Sequence, residues 1–177
     1  MNTKGKGYHL RYSIILRDLG QDDLAYTHAK KAVEIDNNFI DAVLHLASIE
    51  VNKRNLQSAR DLIQKLPEKL SANQRLIKAT VEAEIATREK NFDIARNIIN
   101  KYQNRIDSYV MDVRARIEYY DAFYDFSSKK LILAKEKIQK AENIIQEAIR
   151  HFPNIIPLKT THTKIQQLKM QIEDEID

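Results

Sequence analysis

Asn55-Leu56-Gln57-Ser58-Ala59-Arg60-Asp61-Leu62-Ile63-Gln64-Lys65 is echoed by Asn91-Phe92-Asp93-Ile94-Ala95-Arg96-Asn97-Ile98-Ile99-Asn100-Lys101, and the two runs lie 36 residues apart. Each sets an Ala four residues before an Ile, at Ala59/Ile63 and Ala95/Ile99, which puts both on one helical face. Upstream, Gly20-Gln21-Asp22-Asp23-Leu24-Ala25 leads into a run ending Lys30-Lys31-Ala32, with Ala25 34 residues before Ala59. A period near 34 residues is the signature of stacked helical hairpins, because a single hairpin cannot bury its apolar faces without neighbours.

The rest of the chain agrees with an all-α fold. It has 177 residues, 43% hydrophobic and 31% charged, enough to bury a core. Only 3 Gly and 3 Pro occur, and Pro67, Pro153 and Pro157 leave long uninterrupted stretches that suit helices joined by short turns. The net charge of +4 is a mild bias with both signs interspersed, not a nucleic-acid signature. The absence of Cys excludes disulfides, thiol nucleophiles and Cys-based zinc sites, and a reducing cytoplasm is the simplest home. No apolar run approaches the roughly 20 residues of a membrane span. Residues 1–7, with Gly5 and Gly7, are polar and glycine-rich and read as a flexible leader.

With small residues where paired helices touch and a turn glycine at Gly20, the chain resembles the tetratricopeptide repeat family. Leu16, Gly20, Ala25, Ala29 and Ala32 match in residues 8–39; Leu46, Ala47, Ala59 and Ile63 in 40–70; Ala83, Phe92, Ala95 and Ile99 in 71–106. The fourth unit, 107–153, is recognisable at its end in Ala141, Ile145, Ala148 and Pro153, and the 46 residues from Ala95 to Ala141 mark it as enlarged. Arg54 and Lys90 stand in place of the turn glycine, Asn37 where proline is usual, and Glu82 at a normally apolar position. The resemblance implies a right-handed solenoid of antiparallel helix pairs, about four repeats, with residues 154–177 as a C-terminal capping helix.

Periodicity and punctuation predict helices over 8–19, 22–36, 39–53, 56–66, 71–89, 92–105, 108–126, 128–151 and 160–176. Ser71-Ala72-Asn73-Gln74 carries a capping-box pattern just after Pro67. Leu131, Ala134, Ile138, Ala141, Ile145 and Ala148 form one continuous seam. In the last helix Ile165, Leu168, Ile172 and Ile176 face inward, with Gln166, Lys169, Glu173 and Asp174 expected toward water.

No catalytic constellation emerges, and no cofactor or metal is expected. Gly5-Lys6-Gly7 is too short for a phosphate loop, and His9, His28, His45, His151 and His162 contain no pair one helical turn apart beside a carboxylate. Asp41 and His45 share a face, but no nucleophile stands beside them.

Binding is therefore the expected work. The resemblance implies a peptide or partner helix held in a concave groove lined by the first helix of each pair, with Arg17, Asp18, His45, Ser48, Asn52, Glu84 and Arg88 pointing into it. Leu10 and Ile14 replace the Lys and Asn of the chaperone-tail clamp, so a carboxylate-tail partner is not expected. In helix 8–19, Tyr12, Leu16 and Leu19 serve the hairpin, which leaves Leu10 and Ile14 as an edge to be covered by an upstream domain or a second copy in a homodimer. The alternative is a nucleic-acid-binding surface in the fourth unit, where Lys129, Lys130, Lys135, Lys137 and Lys140 lie near Tyr119, Tyr120, Phe123 and Tyr124.

Overall fold

The computed structural model of the protein describes residues 5–176, and among them every regular element is helical. Two compact units divide the chain, Met1–Ile85 and Ala86–Asp177. The first holds α1 (Lys6–Asp18), α2 (Asp22–Ile35), α3 (Ile40–Asn52), α4 (Leu56–Gln64) and most of α5 (Ala72–Arg88). The second holds the end of α5, α6 (Phe92–Ile99), a 3₁₀ turn (Asn100–Tyr102), α7 (Ser108–Ser127), α8 (Leu131–His151) and α9 (Ile156–Asp174).

The sequence-derived boundaries need four corrections, the first being that the helix expected over 128–151 starts at Leu131, because the chain turns at Lys129. Lys6 and Gly7 belong to α1 rather than to a leader, whose residues 1–4 lie outside the described residues. The helix expected over 92–105 ends at Ile99 and tightens into the 3₁₀ turn. The last helix starts at Ile156, four residues before the expected 160, because Pro157 sits in its first turn, where a missing N–H costs nothing.

Four hairpin turns share one backbone geometry. Gly20, Arg54, Lys90 and Lys129 all adopt left-handed φ values, 71°, 64°, 64° and 59°. In each case that residue's N–H donates to the carbonyl three residues back, on Arg17, Val51, Thr87 and Phe126, at 2.9–3.1 Å. The following N–H reaches five back, to Leu16, Glu50, Ala86 and Asp125, at 2.8–2.9 Å. These paired bonds satisfy the last carbonyls of the first helix and turn the chain into the second. Arg54 and Lys90 thus share the left-handed conformation of Gly20.

Lys129 also corrects the register of the fourth hairpin. Five residues past each left-handed residue stands a wholly buried alanine: Ala25, Ala59, Ala95 and Ala134. The equivalent of Ala95 is therefore Ala134, 39 residues on, rather than Ala141 at 46. Seven residues before each turn residue stands a second buried small side chain, at Ser13, Ala47, Ala83 and Ala122.

Packing in each unit follows from these small contacts, which let helix axes approach closely. In unit 1, Leu16, Ala25, Ala29, Leu46 and Ile49 form one cluster and Ala47, Val51, Ala59, Ile63, Val81 and Ile85 another. Every residue of α3 from Ala42 to Val51 is buried, so this helix offers no wet face. In the capping box at α5, Gln74 N–H donates to Ser71 Oγ (3.2 Å) while Ser71 N–H donates to Gln74 Oε1 (3.0 Å). In unit 2, α7, α8 and α9 share a core built from Ala115 and Ala122, from Ala134, Ile138, Ala141 and Ile145, and from Leu158, Ile165 and Ile172.

Helix α9 is also tied by polar bonds. Glu142 accepts hydrogen bonds from Lys169 (2.8 Å) and Gln166 (2.6 Å), so these two side chains turn inward rather than to water. Burial opposes the Glu142 charge, but those donors hold its carboxyl below the usual range. Thr161 donates to Asp112 on α7 at 2.7 Å. No helix among the described residues is long and apolar enough to cross a membrane.

Candidate functional site

The seven groove residues do not form one open surface. His45, Ser48 and Glu84 are buried. His45 Nε2 lies 2.8 Å from Ser13 Oγ, whose own proton goes to the Ala25 carbonyl at 2.6 Å, so His45 donates as the neutral Nε2–H tautomer. Burial, helped by the nearby Arg17 charge, pushes its pKa down to about 3. Ser48 receives Arg17 Nη1 at 3.3 Å. These groups join α1 to α3 and are spent on packing. Arg17 and Asp18 are half-buried and Asn52 is exposed. Burial raises the Asp18 carboxyl above its usual range, against the opposing charge of Arg17.

In unit 2, Arg88 is half-buried, with its guanidinium 4.6 Å from the centre of the Tyr120 ring. The Asp41 and His45 pair does not assemble, since Asp41 accepts from Gln74 (2.9 Å) while His45 faces Ser13. Among the described residues no cluster of three metal-ligating side chains forms.

A different surface stands out on α1. The buried face of this helix is Leu10, Ser13 and Leu16. Leu10 packs with Ala32 and Ala42, which removes the reason to expect a cover over it; Ile14 stays exposed. Tyr12 and Leu19, expected inside the hairpin, instead join Tyr8 and Ile15 on the outside, with exposures of 61% for Tyr8, 41% for Tyr12, 54% for Ile15 and 51% for Leu19. Their spacing of four, three and four residues makes a straight apolar stripe. Tyr8 stacks on Tyr12 (centroids 5.7 Å apart, 12° between planes), and Tyr12 meets the His28 ring edge-on at 4.7 Å. The rings are therefore held in place before anything docks. His9 and His28 approach to 2.9 Å between Nδ1 atoms, and burial with the charges of His28 and Lys31 keeps the His9 pKa below its ordinary value.

The basic and aromatic set of unit 2 is largely engaged within the unit. Lys129 pairs with Glu175 (2.6 Å), Lys130 lies 3.9 Å from Asp125, and Lys137 bonds Asp121 (2.8 Å) and Asp125. Arg96 grips both oxygens of Glu118 (2.8 and 2.9 Å) and also Asp121, which holds its charge even more firmly than usual. Tyr119 packs against the α7–α8–α9 core, and Tyr124 lies beneath Lys90 at 5.0 Å. Lys135, Lys140 and Phe123 remain exposed.

The stripe could have been found from Ser13: a small residue seven before the turn glycine marks the contact face, which fixes Leu10 and Leu16 inside and the 8/12/15/19 set outside. In comparisons with known proteins, no family model matches this chain, and neither a curated protein nor a solved structure matches it.

Proposed function

We propose that this chain is a tetratricopeptide-like helical repeat protein that binds another protein, with the outer face of α1 as its principal docking surface. The observation that carries this reading is the stripe of Tyr8, Tyr12, Ile15 and Leu19, four large apolar side chains in line on one exposed helix. Contiguous exposed apolar surface of this kind marks interaction sites in folded proteins. The alternating three and four spacing is complemented by a helix of the same spacing, so the occupant is an amphipathic partner helix, supplied by another protein or by a second copy. Support for the repeat assignment is the shared turn at positions 20, 54, 90 and 129, with its two small residues at fixed offsets.

Nucleic-acid binding is disfavoured, since three of the five lysines singled out on and before α8 are paired with carboxylates within the unit. The test is light scattering after size exclusion, with capture from source lysate, on the wild type and on Tyr12→Glu with Ile15→Glu. Loss of a dimer or of a captured protein, with unchanged circular dichroism, supports α1. Identical mass and identical captures for both proteins would remove it.

A further inference from the structure

Unit 1 contains a second feature, distinct from the α1 stripe. A cleft of about 510 Å³ opens where the C-terminal end of α2, the start of α3 and the end of α4 come together. Its walls are Val33, Ile40, Leu62 and Leu66, all half-buried, over a floor that includes the buried Val43. The space exists because α4 is short: it stops at Gln64, and the residue before Pro67 is steered out of helical conformation, so no further turn fills the gap. Leu66 and Pro67 line the cleft as the chain departs.

The mouth is polar and of one sign. Asn37, Asn38 and Lys65 line it, and Lys65 is the one charged side chain among the lining residues. The turn that carries the two asparagines is braced, since Asp36 accepts the Asn38 N–H at 2.9 Å and also binds Lys6 at 2.6 Å. Asp36 is thereby held below the usual carboxylate range by the Lys6 and Asn38 donors, and its charge is committed to them. An apolar chamber of this size with one cation and two amide donors at its lip matches the general form of small-molecule sites.

We infer that this cleft binds a small amphiphilic carboxylate, with the alkyl or aryl body against Val33, Ile40, Leu62 and Leu66 and the carboxylate at Lys65 and the asparagine amides. A neutral ligand would leave the Lys65 charge unused, and an inorganic anion would leave the apolar walls wet. A charge-assisted hydrogen bond discriminates by about tenfold or more in affinity.

The test uses the full chain, with decanoate and decanol titrated separately while the Val and Leu methyl and Ile δ-methyl resonances are followed by NMR. Decanoate is expected to shift Val33, Ile40, Leu62 and Leu66 together, and decanol to bind about tenfold more weakly. Lys65→Glu, at an exposed position, should weaken decanoate about tenfold and leave decanol within about twofold. Ile40→Glu places a carboxylate in the apolar wall and should weaken both probes, decanoate more than decanol. Equal affinity for both probes, shifts confined to α1, or no decanoate binding would overturn the inference. So would a peptide ending in leucine that occupies the cleft while decanoate does not, which would give the site to a protein partner.

Discussion

Lowering the pH from 7.5 to 5.0 acts on unit 1 through His45. In the folded chain its pKa is about 3, against 6.5 when unfolded, because the ring is buried and the Arg17 charge lies nearby. A depressed folded pKa means that the stabilising contribution is complete above 6.5 and is lost as the pH falls, since only the unfolded chain takes up the proton. Between pH 6.5 and 5.0 that is 1.5 pH units at about 1.36 kcal/mol each, or about 2 kcal/mol. Urea unfolding followed by circular dichroism at pH 7.5, 6.0 and 5.0 measures it, with His45→Gln as the comparison. The Gln amide can still donate to Ser13 but cannot titrate, so the variant should lose about 2 kcal/mol less than the wild type over that range. His9, whose pKa is also lowered, is present in both proteins and cancels. Equal pH slopes in the two proteins would refute the assignment of His45 as a buried neutral ring.

Four further variants probe the turn geometry, the helix contacts and the stripe. Arg54→Gly relieves a left-handed residue at φ 64° and should stabilise the chain by about 1 kcal/mol, raising the thermal midpoint by a few degrees. Ala134→Leu, at a wholly buried helix contact, should overpack α8 against its neighbours and destabilise by about 1–3 kcal/mol in urea titration, as should Ala59→Leu. Ile15→Glu, at an exposed position, should change stability by no more than about 0.5 kcal/mol, and Tyr12→Glu, which also loses the Tyr8 and His28 ring contacts, should cost about 1 kcal/mol, while together they abolish any association through α1.

Much of the fold was legible because its signals are local. The boundaries of α2, α3 and α5 fall within a residue of those read from periodicity and caps, and the Ser71/Gln74 capping box forms as its spacing requires. The fourth register was missed for a definite reason. Ala134 and Ala141 lie seven residues apart on one seam of α8, so periodicity cannot tell them apart, and the turn that would decide carries Lys129 instead of glycine. Leu10 lies inside and Tyr12 and Leu19 outside, against expectation, because hydropathy ranks Ser13 as a surface residue, whereas here its hydroxyl is bonded to Ala25 and His45. The register that the repeat resemblance implies puts His45 and Ser48 in a groove, whereas both are buried. The apolar positions of α3 at 40, 42, 43, 44, 46, 47, 49 and 51 surround the helix and signal burial on all sides. The cleft beside Lys65 has no sequence signature, since it depends on where three helix ends meet.

That α1 carries the docking surface is tested most directly by site-specific photocrosslinking. Ile15→p-benzoylphenylalanine places a reactive group within the stripe, and Met170→p-benzoylphenylalanine places the same group at an equally exposed apolar position on α9. Irradiated in source lysate or at high concentration of the pure chain, the Ile15 variant should yield one discrete adduct, and the Met170 variant should not. Adducts of the same mass and yield from both positions, or none from Ile15, would contradict a docking surface on α1.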